Sequence, residues 1–207
     1  MAVNPFSLAM RRVIVEQYVK LPVPGNSFEG KTYIVTGANH GLGLETARHL
    51  VRCSASRVIL AVRSTKGGEA AKADIERTTG RKDVAEVWHI DLSTFASVKE
   101  FASKAERELE RVDGLIENAG IMLDTWTLAE GMETSMTVNV ISTLFLGVLM
   151  MPKLMESARK FNNAPHLVFL VSALGFVSQA RKEMAKGGET NIFQGLNNSK
   201  EQSMDQR

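Results

Sequence analysis

Three glycines interrupt an apolar stretch near the start of the chain, and a helical pattern follows them. Residues 33–35 are bulky and apolar, as in a buried strand, and Gly37, Gly41 and Gly43 come soon after. Apolar residues then recur at helical spacing: Leu42, Leu44, Ala47 and Leu50. Such a strand-to-helix joint directs backbone N–H groups and the positive end of a helix dipole toward one point, where a phosphate can bind. A tight turn without a ligand is the alternative interpretation of the glycines alone.

The residues around these glycines match a longer motif. Residues 36–43 read Thr-Gly-Ala-Asn-His-Gly-Leu-Gly, which resembles the Thr-Gly-x-x-x-Gly-x-Gly signature of the short-chain dehydrogenase/reductase family. All fixed positions of the signature are filled. The resemblance implies a dinucleotide-binding turn made by Gly37, Asn39, His40, Gly41, Leu42 and Gly43.

The end of the second apolar run, residues 58–62, bears on which nicotinamide cofactor this turn would hold. A carboxylate there accepts hydrogen bonds from the ribose 2′-hydroxyl of NAD, whereas an arginine attracts the 2′-phosphate of NADP. A valine fills the expected acidic position, and Arg63 follows it. With Ser64, His40 and Lys66 nearby, this arginine favours NADP(H) over NAD(H). A solvated arginine at a strand end is the alternative.

Asp91 and Leu92 follow the third apolar run. In the family that the glycine motif resembles, an aspartate at this place hydrogen-bonds the amino group of adenine. The resemblance therefore implies that both residues belong to the cofactor site. The same carboxylate could instead cap a helix that begins near Ser93, and the sequence leaves the two roles open.

A second motif of the same family follows the fourth apolar run. Residues 115–120 read Leu-Ile-Glu-Asn-Ala-Gly and resemble the Asn-Ala-Gly motif, in which small residues let the backbone approach the cofactor and the asparagine bridges strands. The resemblance implies cofactor contacts by Asn118, Ala119 and Gly120. Family members commonly have a second asparagine where this chain has Glu117. We expect this change to be tolerated, with altered local hydrogen bonding.

Two further residues match catalytic positions of the family. Ser172 lies near the end of the fifth apolar run, and its hydroxyl is expected to hydrogen-bond a substrate carbonyl and to stabilise the negative charge that develops during hydride transfer. Asn139 lies within a long helical pattern and is expected to hold a water that connects the catalytic lysine with bulk solvent. An ordinary strand-end serine and a solvent-facing asparagine are the alternatives.

The proton donor of the family, a tyrosine followed four residues later by a lysine, does not occur after Ser172. The only tyrosines are Tyr18, before the glycine motif, and Tyr33, inside the first predicted strand. We therefore expect the sequence to stop just before its catalytic tyrosine. The Thr-Gly-Ala-Asn start, Arg63 and the polar segment after residue 175 resemble the retinol-dehydrogenase-like branch of the family. That resemblance implies a bulky, lipophilic substrate.

Strands and helices are predicted to alternate between the motifs. The strands lie near residues 31–36, 57–62, 84–90, 114–118 and 167–172, and the helices near 42–52, 65–78, 94–110 and 130–160. A β-α-β-α order requires a parallel sheet with helices on both faces. We predict a Rossmann-like, doubly wound α/β fold with strand order 3-2-1-4-5. Any ligand would bind at the carboxyl ends of strands 1 and 4, where the winding reverses.

Three regions are predicted along the chain. They are an N-terminal amphipathic extension and linker over residues 1–26, an NADP-binding domain over 27–175, and a polar tail over 176–207. Charged residues interrupt the apolar runs of the extension, so none is long enough to span a bilayer. A helix packed on the domain is the favoured interpretation of the extension. The alternative is a weak membrane-surface helix formed by residues 1–20.

Composition argues against several other classes of protein. A net charge of +2 over 207 residues and scattered basic residues disfavour a nucleic-acid partner. The single cysteine, Cys53, rules out an internal disulfide and fits a reducing compartment, so a cytoplasmic location is predicted. Neither this cysteine nor the four histidines have the spacing of a metal site. By the family resemblance, a complete chain would form a homodimer.

The sequence leads to two functional hypotheses. The first is an NADP(H)-dependent oxidoreductase that transfers a hydride between the nicotinamide and a carbonyl or alcohol carbon of a lipophilic small molecule. The second is a binding module that holds NADP(H) and catalyses nothing. A methyltransferase also places a glycine-rich turn after its first strand, but it has no use for the Asn-Ala-Gly motif or for Ser172.

Overall fold

The computed structural model describes residues 18–19, 25, 27–172 and 196–197. The chain divides into two compact units, which are Asn26–Leu170 with Met204–Arg207, and Met1–Gly25 with Val171–Ser203. The strands and helices given below belong to the first of these units. The predicted N-terminal helix, including its alternative as a membrane-surface helix, and most of the predicted polar tail lie outside the described residues.

Strands and helices alternate along the first unit. The strands are β1 (Thr32–Thr36), β2 (Arg57–Val62), β3 (Ala85–His89), β4 (Gly114–Glu117), β5 (Leu128–Ala129), β6 (Met132–Glu133) and β7 (His166–Phe169). The helices are α1 (Gly41–Arg52), α2 (Thr65–Thr79), α3 (Phe95–Glu108) and α4 (Thr134–Phe161). Within α4, one turn, Thr134–Met136, leads into a π-helical segment, Thr137–Ser142, and then into a regular helix, Thr143–Phe161.

Five parallel strands form the main sheet, in the order β3-β2-β1-β4-β7. The predicted order 3-2-1-4-5 is confirmed, because β7 is the fifth strand of this sheet and β5 and β6 pair with each other. At the centre, Val35 of β1 is in register with Leu60 of β2 and Ile116 of β4. The winding reverses between β1 and β4, whose carboxyl ends therefore lie side by side.

Apolar side chains cover both faces of the sheet. On one face, Ile34, Leu115 and Phe101 are buried in one cluster with Leu146 and Met150 of α4. The cluster on the other face comes from β1, β2, β3, α1 and α2 and includes Val35, Leu60, Val51 and Ile75. Burial on both faces fixes the register of β1, since a slip by one residue would move each side chain into the wrong layer.

The chain before α4 differs from the predicted helix over residues 130–160. Residues 128–133 form a tight antiparallel hairpin, because Glu130 and Gly131 adopt left-handed backbone angles with φ of +53° and +79°. The Glu130 carboxylate accepts a hydrogen bond of 2.8 Å from the backbone N–H of Phe95 and so caps the start of α3. Helix α4 begins after this hairpin, at Thr134.

Helix α4 is long and apolar. It has 28 residues and a mean hydropathy of 1.7 over its most apolar window, so by length and composition alone it could cross a membrane. Its inner face, with Leu146, Met150 and Leu154, is buried in the cluster that also contains residues of the sheet and of α3. A helix whose apolar inner face is buried in this way is typical of a protein core.

Candidate functional site

An open cleft of about 480 Å³ lies at the carboxyl edge of the sheet. Its walls come from the strand ends, the start of α1 and the π-helical segment. The lining residues are Gly37, Asn39, His40, Gly41, Leu42, Ala61, Arg63, Ser64, Ile90, Asp91, Leu92, Asn118, Ala119, Gly120, Ile121, Val138 and Leu170. The structure thus brings together most of the residues predicted to contact a cofactor. Gly43 and Lys66 are the exceptions.

Gly43 packs against the strand ends instead of lining the cleft. A Cβ atom at this position would lie 2.6 Å from the backbone oxygen of Gly37 and would overlap the side-chain nitrogen of Asn118. Only a glycine lets α1 approach β1 and β4 this closely. A side chain is also excluded at Gly37, because this residue has a φ of +66° and an added Cβ would lie 3.0 Å from the Cα of Ala119. These two glycines set the distance between helix and strands.

The start of α1 forms part of the cleft wall and carries no capping side chain. His40, at the N-cap, makes no side-chain hydrogen bond to the first turn, and that turn contains no acidic residue. The His40 side chain is exposed at the cleft. Backbone N–H groups at a helix start carry partial positive charge, so this wall is suited to an anion such as a phosphate.

The end of β2 gives the cleft a positive charge. Arg63 is exposed and lines the cleft. Ser64 caps α2, since its hydroxyl oxygen accepts a hydrogen bond of 3.2 Å from the backbone N–H of Gly67, which leaves the hydroxyl hydrogen for a ligand. Lys66 is exposed in the first turn of α2 and does not line the cleft. Of the side chains predicted to favour NADP(H), Arg63, Ser64 and His40 therefore line the cleft and Lys66 does not.

The Asp91 carboxylate stabilises the turn after β3. Its Oδ1 accepts hydrogen bonds from the backbone N–H and the hydroxyl of Ser93, at 2.9 and 2.7 Å. Helix α3 starts at Phe95 with Thr94 at its N-cap, so the predicted helix start near Ser93 is within two residues, and the Asp91 carboxylate caps the turn that leads into the helix. Burial alone would raise the pKa of Asp91, but the hydrogen bonds from Ser93 and the charges of Arg63 and His89 lower it. The carboxylate at this cleft wall is therefore ionised at neutral pH.

The hydroxyl of Thr36 joins the ends of β1 and β4. Its oxygen accepts hydrogen bonds of 3.0 Å from the backbone N–H groups of Asn118 and Ala119. The side-chain amide of Asn118 donates to the Thr36 carbonyl oxygen at 2.9 Å, which is the strand bridge that the sequence predicts. Thr36 is fully buried, so these bonds are shielded from water and hold the turn of residues 118–120 in place.

Glu117 is a buried acid directly behind this turn. It is 2% exposed, and its Oε2 accepts a long hydrogen bond of 3.4 Å from the Thr36 hydroxyl. Its Oε1 has no partner among the residues that the structure describes. Burial raises the pKa of Glu117 to about 8 and outweighs the opposing effect of the Thr36 hydrogen bond. The carboxyl is therefore neutral at pH 7.

Asn139 lies in the π-helical segment and is tied to the chain after β4. Its Oδ1 accepts a hydrogen bond of 2.8 Å from the backbone N–H of Ile121, and its Nδ2 donates one of 2.8 Å to the Ile121 carbonyl oxygen. The Thr143 hydroxyl donates to the Val138 carbonyl oxygen at 2.9 Å, beside the widened turn. Both ends of the Asn139 amide are therefore bonded to protein, although the residue does not line the cleft. Single π turns are frequent at functional sites.

The chain matches a known protein family over most of its length. The sequence model of a family described as short chain dehydrogenase matches residues 31–192. The chain belongs to the short-chain dehydrogenase/reductase family. The family assignment covers the cleft and the whole main sheet.

Curated relatives in this family are longer than the chain. The short-chain dehydrogenase atnD of Emericella nidulans is 40% identical over 206 residues, which cover 99% of this chain and 64% of atnD. The short-chain dehydrogenase/reductase dmxR8 of Cryptosporiopsis sp. is 48% identical over 149 residues, which cover 72% of this chain and 46% of dmxR8. The chain thus spans about half to two thirds of the length of these relatives.

A solved structure in the short-chain dehydrogenase family has the same fold. The short-chain dehydrogenase of Escherichia coli CFT073 in complex with NADPH is 26% identical to this chain, with a TM-score of 0.61. The match covers 84% of this chain and 67% of that one. The predicted Rossmann-like α/β fold is confirmed by this likeness and by the strand order.

Ser172, the predicted catalytic serine of this family member, lies beyond the last strand. Strand β7 ends at Phe169, earlier than predicted, and Leu170 is the last cleft residue; its N–H donates to the Glu117 carbonyl oxygen at 2.9 Å. Ser172 is exposed and belongs to the other compact unit. Its role toward a substrate stays a prediction.

Five lining residues were missed in the sequence, namely Ala61, Ile90, Ile121, Val138 and Leu170. They are all apolar, so residue type gives no sign of a binding role. Ile90 and Ile121 directly adjoin family motifs, and Leu170 follows a strand, so these three residues could have been identified from their positions near strand ends. Val138 is placed by the π-helical segment, for which the helical periodicity gives no signal.

Proposed function

We propose that this chain forms the cofactor-binding part of an NADP(H)-dependent oxidoreductase, which transfers a hydride between the nicotinamide and a carbonyl or alcohol carbon of a small lipophilic molecule. One observation supports this most, the order of groups along the strand ends. Asp91 and Arg63 lie at one end, the open start of α1 lies in the middle, and the turn of residues 118–120 follows. This order suits the adenosine, pyrophosphate and nicotinamide parts of a dinucleotide.

The end of β2 supports NADP(H) over NAD(H). Val62 stands where an NAD-binding enzyme would have its acid, and it is 1% exposed inside the sheet. Arg63 lines the cleft immediately after it, together with the Ser64 hydroxyl and His40. A guanidinium group and a helix start attract a phosphate dianion more strongly than a neutral ribose hydroxyl.

Each proposed site residue has a distinct role. A bound nicotinamide supplies or accepts the hydride. The turn of residues 118–120 brings backbone atoms to that end of the cleft, and Asn139 fixes the following Ile121 through two hydrogen bonds. Asn139 would also hold the water of a proton path. The Ser172 hydroxyl would donate to the substrate oxygen as negative charge develops on it.

The proton donor is the least complete part of the proposed site. The printed sequence has no tyrosine after Tyr33. That residue is partly buried in β1, where burial and the charge of Asp113 raise its pKa above the ordinary value, against a smaller effect of Arg111. The proposed hydride transfer requires a proton donor, which in the family is a tyrosine with a nearby lysine, and none of these 207 residues is assigned to that role. A positioned general acid is worth a factor of about 10² to 10⁴ in rate.

The lack of a tyrosine after Tyr33 in these 207 residues favours a second candidate function, a module that binds the cofactor and catalyses nothing. Without a tyrosine and lysine the 207 residues would bind NADP(H) and catalyse no hydride transfer at ordinary rates. Incubation of the purified chain with NADPH and a panel of lipophilic ketones and aldehydes tests the binding module. Loss of NADPH absorbance at rates usual for dehydrogenases would exclude it, and tight NADPH binding without turnover is the result that it predicts. Absence of NADPH binding would contradict both candidates.

The cofactor preference has a direct test. We expect NADPH to bind the chain at least about tenfold more tightly than NADH, and Arg63→Asp to remove or reverse this difference. Lys82→Asp is the matched control, because Lys82 is exposed just before β3, at the opposite edge of the sheet. Calorimetric titrations measure all six affinities, those of the two cofactors for the unmutated chain and for each variant. Equal affinities for the two cofactors in the unmutated chain would contradict the role given to Arg63.

A further inference from the structure

We propose that Glu117 couples binding of the oxidised cofactor to release of a proton, so that the preference of the cleft for NADP⁺ over NADPH increases with pH. This inference rests on the proposed function, since it requires that the cleft binds a nicotinamide dinucleotide. It concerns a residue outside the cleft lining, and the resemblance to the family assigns it no role.

The backbone of Glu117 adjoins the cleft on two sides. Glu117 directly precedes Asn118, which lines the cleft, and its carbonyl oxygen accepts the N–H of Leu170, which also lines it. Its side chain points to the same face of β4 as Leu115, toward the cluster that contains the cleft residue Val138. The carboxyl therefore lies behind the turn of residues 118–120, at the end of the cleft that the proposed function assigns to the nicotinamide.

Among the residues that the structure describes, no charged group balances an ionised Glu117. From β1 the group that faces it is the uncharged Thr36 hydroxyl, at 3.4 Å. On β7, the ionisable His166 pairs with Gly114 at the other end of β4. The charged groups of α4 that the structure describes begin at Lys153, which is bonded to Glu156 and to α3 instead. Within the described part of the chain, the causes of the pKa shift of Glu117 are burial, which raises the pKa, and the Thr36 hydrogen bond, which lowers it.

The two redox forms of the cofactor differ in charge. The nicotinamide ring of NADP⁺ carries a positive charge, and that of NADPH carries none. A positive ring at that end of the cleft would favour the ionised form of the buried carboxyl, so binding of NADP⁺ would make Glu117 give its proton to solvent. By linkage, the affinity for NADP⁺ must then rise with pH until the free protein is itself ionised, at about pH 8. The affinity for NADPH gains nothing from this ionisation.

Comparison of the two redox forms isolates the effect. Both carry the same 2′-phosphate and pyrophosphate, so the effects of pH on phosphate binding cancel in the ratio of the two dissociation constants. We expect this ratio to change in favour of NADP⁺ by about threefold or more between about pH 6.5 and about pH 9. We also expect NADP⁺, and not NADPH, to release a fraction of a proton near pH 7.5.

Titration calorimetry of the 207-residue chain, in two buffers with different ionisation enthalpies, measures both quantities. Glu117→Gln should give a ratio that does not vary with pH and should release no extra proton with NADP⁺. Glu133→Gln is the matched control, because Glu133 is 1% exposed and does not line the cleft. It should behave as the unmutated chain. If Glu117→Gln does not fold, the ratio and the proton count of the unmutated chain still decide.

Each outcome has a separate meaning. If both cofactors bind with a ratio that is constant across pH, the coupling is wrong and the proposed function stands. Proton release that persists in Glu117→Gln would also overturn the assignment to this residue. If neither cofactor binds the folded chain, both the coupling and the proposed function are overturned.

Discussion

Glu117 affects folding as well as ligand binding. Its pKa is raised from 4.5 to about 8 in the folded protein. Between these two pH values the unfolded chain loses the proton and the folded chain keeps it. The free energy of unfolding should therefore be highest below about pH 4.5 for this group, fall through that window and level off above about pH 8. The expected total change is roughly 3 to 6 kcal/mol.

Urea unfolding at about pH 5, 6.5 and 8 tests this sign. Glu117→Gln, which cannot ionise, should gain stability relative to the unmutated chain as the pH rises. Glu133→Gln supplies the control, because Glu133 is a buried acid whose two oxygens accept hydrogen bonds from the backbone N–H groups of Ser135 and Met136. A difference between Glu117→Gln and the unmutated chain that is the same at every pH would contradict the prediction.

For individual residues, the sequence predicts the chemical type of most cleft residues. It does not predict which of the motif residues line the cleft and which serve a structural role. Gly43 fits the glycine signature but serves as a spacer between α1 and the strand ends. Lys66 is close to Arg63 along the chain, but its place on α2 takes it away from the cleft. The neutral state of Glu117 follows from burial beside Thr36, a residue far from it in sequence. Such facts depend on packing, which residue spacing does not contain.

Among the elements, the β5–β6 hairpin has an identifiable role as the cap of α3. Thr94, the N-cap residue, makes no side-chain hydrogen bond to the helix, and Glu130 of the hairpin supplies the acceptor for the Phe95 N–H. Loss of a helix cap costs about 0.5 to 2 kcal/mol. We expect Glu130→Ala to lower the free energy of unfolding by that amount.

Glu130→Gln is the informative companion variant. It keeps an acceptor oxygen at the same place and the same left-handed backbone strain at residue 130, so it should lose less stability than Glu130→Ala. Urea unfolding at one pH measures both. Equal losses in the two variants would show that the carboxylate charge, and not the hydrogen bond to Phe95, stabilises α3.

The elements that the sequence predicts well are those with a repeating pattern. The five strands of the main sheet and the first three helices follow apolar periodicity and turn residues, with small errors at their ends. The hairpin was predicted as helix because Met132 fits the helical spacing of the residues after it. The π-helical segment hardly alters that spacing, so the sequence does not predict it. The feature that marks the segment is the hydrogen bond between Asn139 and Ile121, two residues that only folding brings together.

For the molecule as a whole, the outer face of α4 is an exposed apolar surface. Its residues Leu144, Val148, Met151 and Met155 are between 44% and 67% exposed. Contiguous apolar surfaces of this kind usually mark an interface. We expect the chain to self-associate in a concentration-dependent way, as the predicted homodimer requires, and Val148→Glu to weaken the association about tenfold.

Sedimentation velocity over a range of protein concentrations measures this association. Leu128→Glu is the control, because Leu128 is 63% exposed on the hairpin and not on α4. NADPH affinity should be the same in both variants and in the unmutated chain, which checks the fold. A chain that stays monomeric at every concentration, or equal effects of the two substitutions, would contradict the prediction.

The topology of the whole sheet was predictable because a β-α-β-α order with right-handed crossovers leaves few arrangements. The same order places Arg63, Asp91 and the glycine turn at one edge without any knowledge of contacts. The extent of the cleft was not predictable in this way, since Val138 and Leu170 reach it from elements that carry no motif at those positions.

The pair of hydrogen bonds between Asn139 and Ile121 also makes a mechanical connection. Both are 2.8 Å long, and they join α4 to the chain that leaves β4. If α4 slides along its axis, the Ile121 backbone must follow it or break both bonds. A displacement of α4 would therefore change the backbone at Ile121, which lines the cleft next to the turn of residues 118–120.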